Sequence, residues 1–290
     1  DTATTEIFTV TVHDALPISA NTSQRILYVP SNFTSIQAAI DNANSSDMIV
    51  IAPGTYSEAL IISKSLTLIG EDRDTTIIDG SGIGDTISIK SGYVNVLELT
   101  VMNNGTSARN SGIVIDRCNG INVNNTQIIN TYYALSLSVC SGSIFSNNIV
   151  FNNSYGIQLI NTNGNIFSNN AILSNGEGIA LDYGNSFNVF FGNTILNNSK
   201  GAAIGQSSYL NSFYHNNFLD QVDVETGQPN IWSRNGEGNY WSSYPGNDSY
   251  SGPYQNETGS DGIGDESYSL WESNYDASPL MGTFSQFNTV

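Results

Sequence analysis

The fold is decided by three consecutive segments of equal length: GIVIDRCNGINVNNTQIINTYY (Gly112–Tyr133), ALSLSVCSGSIFSNNIVFNNSY (Ala134–Tyr155) and GIQLINTNGNIFSNNAILSNGE (Gly156–Glu177). When they are aligned without gaps, apolar residues lie over apolar residues and asparagine lies over asparagine. The pattern continues as far as Phe218, and in this later part the interval between equivalent residues is 23 instead of 22. Self-similarity at so short a period is typical of solenoids, in which each repeat forms one turn of the chain.

Within each repeat, apolar and other residues alternate with a period of two, which predicts short strands with one buried face. Four apolar columns follow the repeat: Ile113, Leu135, Ile157, Ile179 and Ala202; Ile115, Leu137, Leu159, Leu181 and Ile204; Val123, Phe145, Phe167, Phe190 and Phe213; Ile128, Val150, Ile172, Ile195 and Phe218. A polar column lies between the last two: Thr126, Asn148, Asn170, Asn193 and Asn216. Asparagine suits corners because it tolerates left-handed backbone and its amide bonds along a stack.

The sequence therefore predicts an all-β protein, a single-stranded right-handed parallel β-helix of about seven or eight coils within residues 20–225. A leucine-rich repeat has a similar period, but its leucine consensus is absent. Upstream, Ile87, Ile89, Val94, Val96 and Val101 continue the columns, and residues 103–110 form an inserted loop. Short strands are predicted still earlier, at Met48–Ala52, Leu60–Ile62, Ser65–Gly70 and Thr75–Asp79.

Both open ends of a solenoid need a cover. Apolar residues at helical spacing predict a short N-terminal helix at about residues 33–44, with Thr34 or Ser35 as its N-cap. After about residue 225 the repeat stops, and residues 226–290 predict an irregular cap rich in Trp, Tyr, Gly and Asp. We expect Trp232, Trp241 and Trp271 to anchor this cap as buried apolar side chains.

Composition limits the classes of partner. With 26 acidic and 8 basic residues, the chain has a formal charge of −18. This charge repels nucleic acid and so disfavours it as a binding partner. It has no run of 18 apolar residues, so the sequence contains no transmembrane segment. Residues 1–19 resemble translated adapter sequence or a disordered start, and they contain no signal peptide.

Several motifs together resemble the NosD-like family of right-handed parallel β-helices, which includes carbohydrate-binding and sugar-hydrolase (CASH) repeats. They are SIQAAIDNANSSDMIVIAPGTYSEALIISKSLTLIG (Ser35–Gly70), the repeated coils, GNYWSSY (Gly238–Tyr244), DGIGD (Asp261–Asp265) and SPLM (Ser278–Met281). The resemblance implies a secreted, periplasmic or cell-surface protein. It also implies two kinds of role, either a module for glycans and envelope proteins or a periplasmic accessory in copper-site maturation.

Pectin-processing enzymes share this architecture, and GTYSE (Gly54–Glu58) resembles a segment of pectin methylesterases. Their catalytic motifs are missing, so we expect a turn before a strand at this segment. Glycoside hydrolysis needs two carboxyl groups roughly 5–9.5 Å apart. Asp116 and Asp182 share an outward column but lie three coils apart, and Glu177 and Asp182 are separated along one coil, so the sequence favours a protein without catalysis.

Three groups of residues are candidates for binding. Phe191 and Tyr214 lie one coil apart and face outward, where aromatic rings pack against sugars. Asp248, Glu257, Asp261 and Asp265 offer oxygen ligands for a structural calcium ion, and the alternative is an ordinary acidic loop. Cys118 and Cys140 stack at a corner, where two free thiols are favoured over a disulfide or a copper site.

The sequence thus predicts a non-catalytic β-helix that binds a polysaccharide or envelope and surface-layer proteins and needs no cofactor. Two alternatives stay open, a polysaccharide-active enzyme (hydrolase, lyase or epimerase) and a copper-maturation accessory.

Overall fold

The computed structural model describes residues 24–82, 84–103 and 110–287. The predictions for residues 1–19 and for most of the inserted loop lie outside these ranges. In chain order the elements are β1 (Ile26–Val29), α1 (Ile36–Asn42), β2 (Met48–Ile51), β3 (Gly54–Tyr56), β4 (Leu60–Ile62), β5 (Thr67–Gly70), β6 (Thr76–Asp79), β7 (Ile87–Ile89), β8 (Asn95–Leu97), β9 (Thr100–Met102), β10 (Ser111–Asp116), β11 (Asn122–Asn124), β12 (Gln127–Ile129), β13 (Tyr133–Ser138), β14 (Ile144–Ser146), β15 (Ile149–Phe151), β16 (Tyr155–Ile160), β17 (Ile166–Ser168), β18 (Ala171–Leu173), β19 (Glu177–Leu181), β20 (Val189–Phe191), β21 (Thr194–Leu196), β22 (Lys200–Ile204), β23 (Ser212–Tyr214), β24 (Asn217–Phe218), β25 (Val222–Val224), β26 (Tyr240–Trp241), β27 (Tyr250–Ser251), β28 (Glu257–Thr258), β29 (Tyr268–Trp271), β30 (Asn274–Asp276) and α2 (Phe284–Phe287).

Most strands belong to three parallel sheets, to which successive coils contribute one strand each. In the described residues, sheet A is β1-β2-β5-β8-β11-β14-β17-β20-β23, sheet B is β3-β6-β9-β12-β15-β18-β21-β24-β26, and sheet C is β4-β7-β10-β13-β16-β19-β22-β25. The register confirms the predicted columns, because Phe145 pairs with Phe167 and Phe167 with Phe190. The fold is a parallel β-helix, and no helix in the described ranges is long and apolar enough to span a membrane.

The parallel β-helix has about ten turns, more than the seven or eight coils predicted from the repeat. The additional turns have unequal lengths, which a search at a fixed period does not detect. Leu68 pairs with Ile49 on one side and with Val96 on the other, and the chain between Leu68 and Val96 is the longer of the two connections. Gly54–Glu58 was also wrongly predicted as a turn, because its first three residues form β3 beside β6.

On the inner face of sheet A, the largely aliphatic interior contains a column of stacked rings that runs from coil to coil. Phe145, Phe167, Phe190 and Phe213 are buried, and their ring centroids are 4.8, 4.6 and 4.8 Å apart with nearly parallel planes. Trp232 continues the column 4.5 Å beyond Phe213. The spacing of the rings matches the spacing of the strands, so each coil buries its aromatic residue against its neighbours.

Glycines at the first position of the repeated segments, immediately before the column that begins with Ile113, allow neighbouring coils to approach closely. A Cβ atom added to Gly178 would lie 2.5 Å from the carbonyl oxygen of Gly201 in the next coil. Because that oxygen belongs to the backbone, it cannot move aside without disturbing the sheet. An added Cβ would also approach a backbone carbonyl oxygen of the next coil at Gly112, Gly156 and Gly201, whereas Ala134 holds the equivalent position in its own coil.

In the described residues, hydrogen-bonded side chains at the corners form three ladders, in which each side chain after the first accepts a bond from the backbone N–H of the member before it. The first ladder is Thr126, Asn148, Asn170, Asn193, Asn216, Asn239 and Asp276. The second is Thr131, Asn153, Asn175, Asn198 and Asp220. The third is Ser143, Asn165, Asn188, Asn211, Asn230 and Asn274. They satisfy backbone groups that the corners would otherwise bury unpaired.

The C-terminal cap closes two of these ladders with residues from β30. Asn274 accepts bonds from the backbone of Asn230 and the indole of Trp232, and Asp276 accepts bonds from the backbone of Asn239 and the indole of Trp241. Trp232 and Trp241 are buried, as predicted. The prediction that Trp271 is buried was wrong.

Trp271 is 52% exposed and lies in the β29–β30 hairpin, outside the apolar column. Its neighbour Leu270 packs against the core, and because successive side chains of a strand point to opposite faces, Trp271 points away from the core.

Helix α1 covers the N-terminal end, and later coils cap both of its ends. Ser35 is the N-cap, and the carboxylate of Glu58 accepts bonds from the backbone N–H groups of Ile36 and Gln37, both at 2.9 Å. The ammonium group of Lys64 donates to three carbonyl oxygens at the C-terminal end. These charges have the signs that the helix dipole favours at each end.

Replacing Glu58 by alanine is expected to lower the free energy of unfolding by about 1–2 kcal/mol, because two N-terminal N–H groups lose their acceptor. Chemical denaturation followed by circular dichroism measures the change. Glu71→Ala, which removes the same charge from an exposed position, is the control and is expected to change stability by less than about 0.5 kcal/mol. Equal effects of the two substitutions would contradict the capping role.

Candidate functional site

The two residues predicted to bind sugar are adjacent on the outer face of sheet A. The rings of Phe191 and Tyr214 are parallel, with centroids 5.6 Å apart, and the guanidinium group of Arg234 lies 5.4 Å from the centre of the Tyr214 ring. Parallel rings this close cover one face of each other. Since Phe191 and Arg234 both lie against the Tyr214 ring, little of the face of Tyr214 is left for a sugar.

A small cleft of about 300 Å³ lies beside this pair. His215 lines it, with its Nε2 2.6 Å from a carboxylate oxygen of Glu237 and its ring stacked 4.1 Å from that of Phe284. Arg234 donates a hydrogen bond to the hydroxyl of Tyr214. The polar groups of this cleft are therefore bonded to one another.

Three of the four residues predicted to bind calcium hold the backbone of the cap. Asp248 accepts bonds from the N–H groups of Asp261 and Gly262, and Asp265 accepts bonds from those of Ser249 and Tyr250. Asp261 likewise accepts bonds from the N–H groups of Gly252 and Ile263.

Glu257, the fourth residue predicted to bind calcium, is exposed on β28. In the described ranges no group of three or more His, Cys, Asp or Glu side chains is placed to hold a metal ion. Calcium binding stays a prediction.

The outer face of sheet C presents a second candidate surface, which the sequence did not reveal. Tyr132, Tyr133 and Tyr155 pack together at one end, with ring centroids 4.7–5.5 Å apart. In the register of the sheet, Tyr155 pairs with Glu177 and Glu177 with Lys200. Polar residues thus follow the aromatic cluster along the axis.

Ionisable groups dominate the middle of this face. Burial raises the pKa of the Glu177 carboxyl above its usual range, and the charge of Lys200 opposes the shift. The ammonium group of Lys200 lies 2.9 Å from Asp223, and their hydrogen bond raises the pKa of the lysine and lowers that of the aspartate. Gln158 donates a bond to Asp182 on the same face.

A cleft of about 530 Å³ opens where β25 faces the cap. Its walls include the exposed ring of Trp271, the amides of Gln206 and Gln221, and the carboxylates of Asp223 and Glu225. An accessible aromatic ring beside amides and carboxylates is the combination that holds a sugar, with ring C–H groups on the aromatic face and hydroxyls on the polar groups.

Comparison with known proteins identifies the family. The family model for "Periplasmic copper-binding protein (NosD)" matches residues 40–246, which is more than half of the chain. The chain belongs to the NosD family. A cell surface glycoprotein of Methanothermus fervidus is 32% identical to this NosD-family chain over 109 residues. The match covers 37% of this chain and 17% of that protein, so the chain spans a small part of its relative's length.

Solved structures share the fold of this NosD-family protein. ORF18 of Geobacillus virus E2 superposes with a TM-score of 0.55 at 14% identity, covering 83% of this chain and 64% of the other. A pectin methylesterase from Yersinia enterocolitica gives 0.51 at 13% identity, covering 70% and 90%. An alginate lyase from a Paenibacillus species gives 0.50 at 14% identity, covering 71% and 93%. At these identities the likeness concerns the fold alone.

In the described part of this NosD-family chain, the cysteines and the histidine are not arranged to hold copper. Cys118 and Cys140 are buried free thiols that donate to backbone carbonyl oxygens, and burial raises the pKa of both. A soft copper site needs thiolates joined by a third ligand. His215, the histidine in the described ranges, instead bonds to Glu237 on a later turn.

Proposed function

We propose that this NosD-family chain is a non-catalytic, extracytoplasmic module that binds a polysaccharide along the outer face of sheet C. One observation carries the proposal: the exposed ring of Trp271 beside the amides and carboxylates of the β25 cleft. The combination supports a binding role, because the cleft brings an accessible aromatic ring together with several polar side chains. Two comparisons support a location outside the cytoplasm. The family is described as periplasmic, and the relative from Methanothermus fervidus is described as a cell surface glycoprotein.

The length of the surface suits a chain of sugars. From Tyr155 to β25 the face crosses three coils, or roughly 14 Å at the strand spacing, and Trp271 lies beyond β25. Aromatic residues at both ends and hydrogen-bonding groups between them match an extended oligosaccharide. Envelope or surface-layer proteins that carry such glycans are partners of the same kind.

Trp271→Ala is expected to weaken oligosaccharide binding by about tenfold or more, since it removes the stacking face. Glycan-array screening of the whole chain selects the ligand, and isothermal titration calorimetry measures the loss. Tyr254→Ala, which removes an aromatic side chain that is 84% exposed elsewhere on the cap, is the control and is expected to leave affinity unchanged. Equal affinities of the Trp271 variant and the native chain would contradict the proposal.

Polysaccharide cleavage is the second candidate at this surface, favoured by Glu177. A half-buried carboxyl whose pKa is raised keeps its proton to higher pH, as a general acid requires. The ligand found by the array is therefore incubated with the protein and assayed for new reducing ends and unsaturated products. Turnover that Glu177→Gln abolishes would replace the non-catalytic proposal with an enzymatic one.

A further inference from the structure

A separate cleft of about 540 Å³ lies on the outer face of sheet A near its N-terminal end. Amides and hydroxyls line it, including those of Gln24, Ser65, Thr67 and Asn95, together with the ring of Tyr93. None of its lining residues is charged. In a chain with 26 acidic residues, this is a neutral polar surface of the kind that uncharged hydroxyl compounds fit.

Tyr93 presents an open ring face to this cleft. Its side chain is 68% exposed, and its backbone has a φ of 57°, in the left-handed region that bulky residues rarely adopt. On the side of the next coil the ring rests on Gly120, where an added Cβ would lie 2.8 Å from the Cδ1 atom of Tyr93. In the register of sheet A, the small residues Ser65 and Ser46 hold the equivalent positions in the two preceding coils.

The small residues create the space, and the register shows why. Ser65 donates a hydrogen bond to the carbonyl oxygen of Tyr93, and the backbone of Ser46 donates to that of Ser65. The three residues therefore lie over one another on consecutive coils. A sugar ring stacked on Tyr93 would occupy the part of the cleft that is lined by Ser65 and Ser46.

Hydrogen-bonding groups border this room in a connected row. Asn122 donates to the side-chain oxygen of Asn95 at 3.2 Å, and Asn95 donates to the hydroxyl of Thr67 at 3.1 Å. The hydroxyl of Thr67 accepts this bond and keeps its own proton for a ligand oxygen. The row thus fixes the side chains before a ligand arrives, which reduces the entropy lost on binding.

From this geometry we infer a second carbohydrate site, centred on Tyr93, that takes uncharged saccharides. The ligand's C–H face stacks on the Tyr93 ring, and its hydroxyls bond to the amide and hydroxyl groups of Asn95, Thr67 and Ser65. The net charge of −18 repels polyuronates. Six coils, roughly 29 Å along the axis, separate Tyr93 from β25, and the two sites lie on different sheets, so they bind independently. The inference extends the proposed function to a second surface.

Calorimetric titration with uncharged tetrasaccharides (cello-, manno- and xylotetraose) tests the inference. Trp271→Ala is expected to keep binding at the Tyr93 site, and adding Tyr93→Ala to that variant is expected to weaken the remaining binding at least tenfold. Thr67→Val, which keeps the branched shape and loses the hydroxyl, is expected to weaken it several-fold. The control is Tyr183→Ala, a side chain that is 73% exposed at another corner. Tetragalacturonate is expected to bind at least tenfold more weakly than the best neutral probe.

The outcomes separate this inference from the proposed function. Complete loss of binding in Trp271→Ala, or equal affinities of the Tyr93 and Tyr183 variants, would overturn the second site and leave the first. Binding that depends on Tyr93 and ignores Trp271 would support the second site and overturn the first. If the native chain binds none of the neutral probes, the inference is overturned. If it also binds no glycan on the array, the proposed function is overturned as well.

Discussion

Replacing Asn170 by alanine is expected to lower the free energy of unfolding by about 3–5 kcal/mol, because several buried polar groups lose their partners at once. The Asn170 side-chain oxygen accepts bonds from the backbone N–H and the side-chain amide of Asn148, both at 3.0 Å. Its amide donates to the carbonyl oxygen of Phe145 and to Asn193, both at 2.9 Å. Urea denaturation followed by circular dichroism measures the loss.

Two further variants show whether the ladder itself causes this effect. Asn163→Ala removes an exposed asparagine at another corner and is expected to change stability by less than about 0.5 kcal/mol. Asn170→Asp keeps the acceptor but loses the donors and faces the oxygens of Phe145 and Asn193. It is expected to destabilise the protein as strongly as alanine. Similar small effects in all three variants would show that the ladder contributes little.

Replacing Phe167 by alanine is expected to lower the free energy of unfolding by about 3–5 kcal/mol, the usual cost of emptying a buried phenylalanine position. The ring is fully buried and stacked on both faces, 4.8 Å from Phe145 and 4.6 Å from Phe190. Neighbouring coils cannot close the gap, because their spacing is set by backbone hydrogen bonds. Thermal and chemical denaturation measure the change.

Phe187→Ala is the matched control, since that ring is exposed in the following coil and is expected to contribute less than about 0.5 kcal/mol. Phe167→Leu, which keeps most of the apolar volume, is expected to fall between the two. A Phe167 variant as stable as the Phe187 variant would contradict the stacked core.

The repeat was predictable because in a solenoid the spatial neighbour of a residue is the residue one coil later. Phe145 and Phe167 hold the same position in successive repeats and are paired in sheet A, so the alignment of the segments is also the map of contacts. The same logic predicted the first ladder from Asn148 to Asn216. It failed where coils differ in length, as at Leu68, and where the cap returns from far along the chain, as at Asn274 and Asp276.

The candidate sites were less predictable, because a binding surface depends on which ring faces stay open. The sequence placed Phe191 and Tyr214 side by side and outside, and the structure agrees about both positions. Phe191 and Arg234 then lie against the Tyr214 ring and reduce the face that a sugar would use. Nothing local distinguishes them from Trp271, which is exposed in the hairpin of the cap, or from Tyr93, which is exposed beside the small residues of the preceding coils.

The sequence by itself determined the coil, its short strands, the inward columns and the corner asparagines, because in-register stacking repeats every local requirement at a constant interval. Only the tertiary structure decided the number of turns, the residues that end the ladders, and the aromatic rings that face solvent. Those features depend on contacts between segments that share no period, where packing at the two ends of the solenoid decides the outcome.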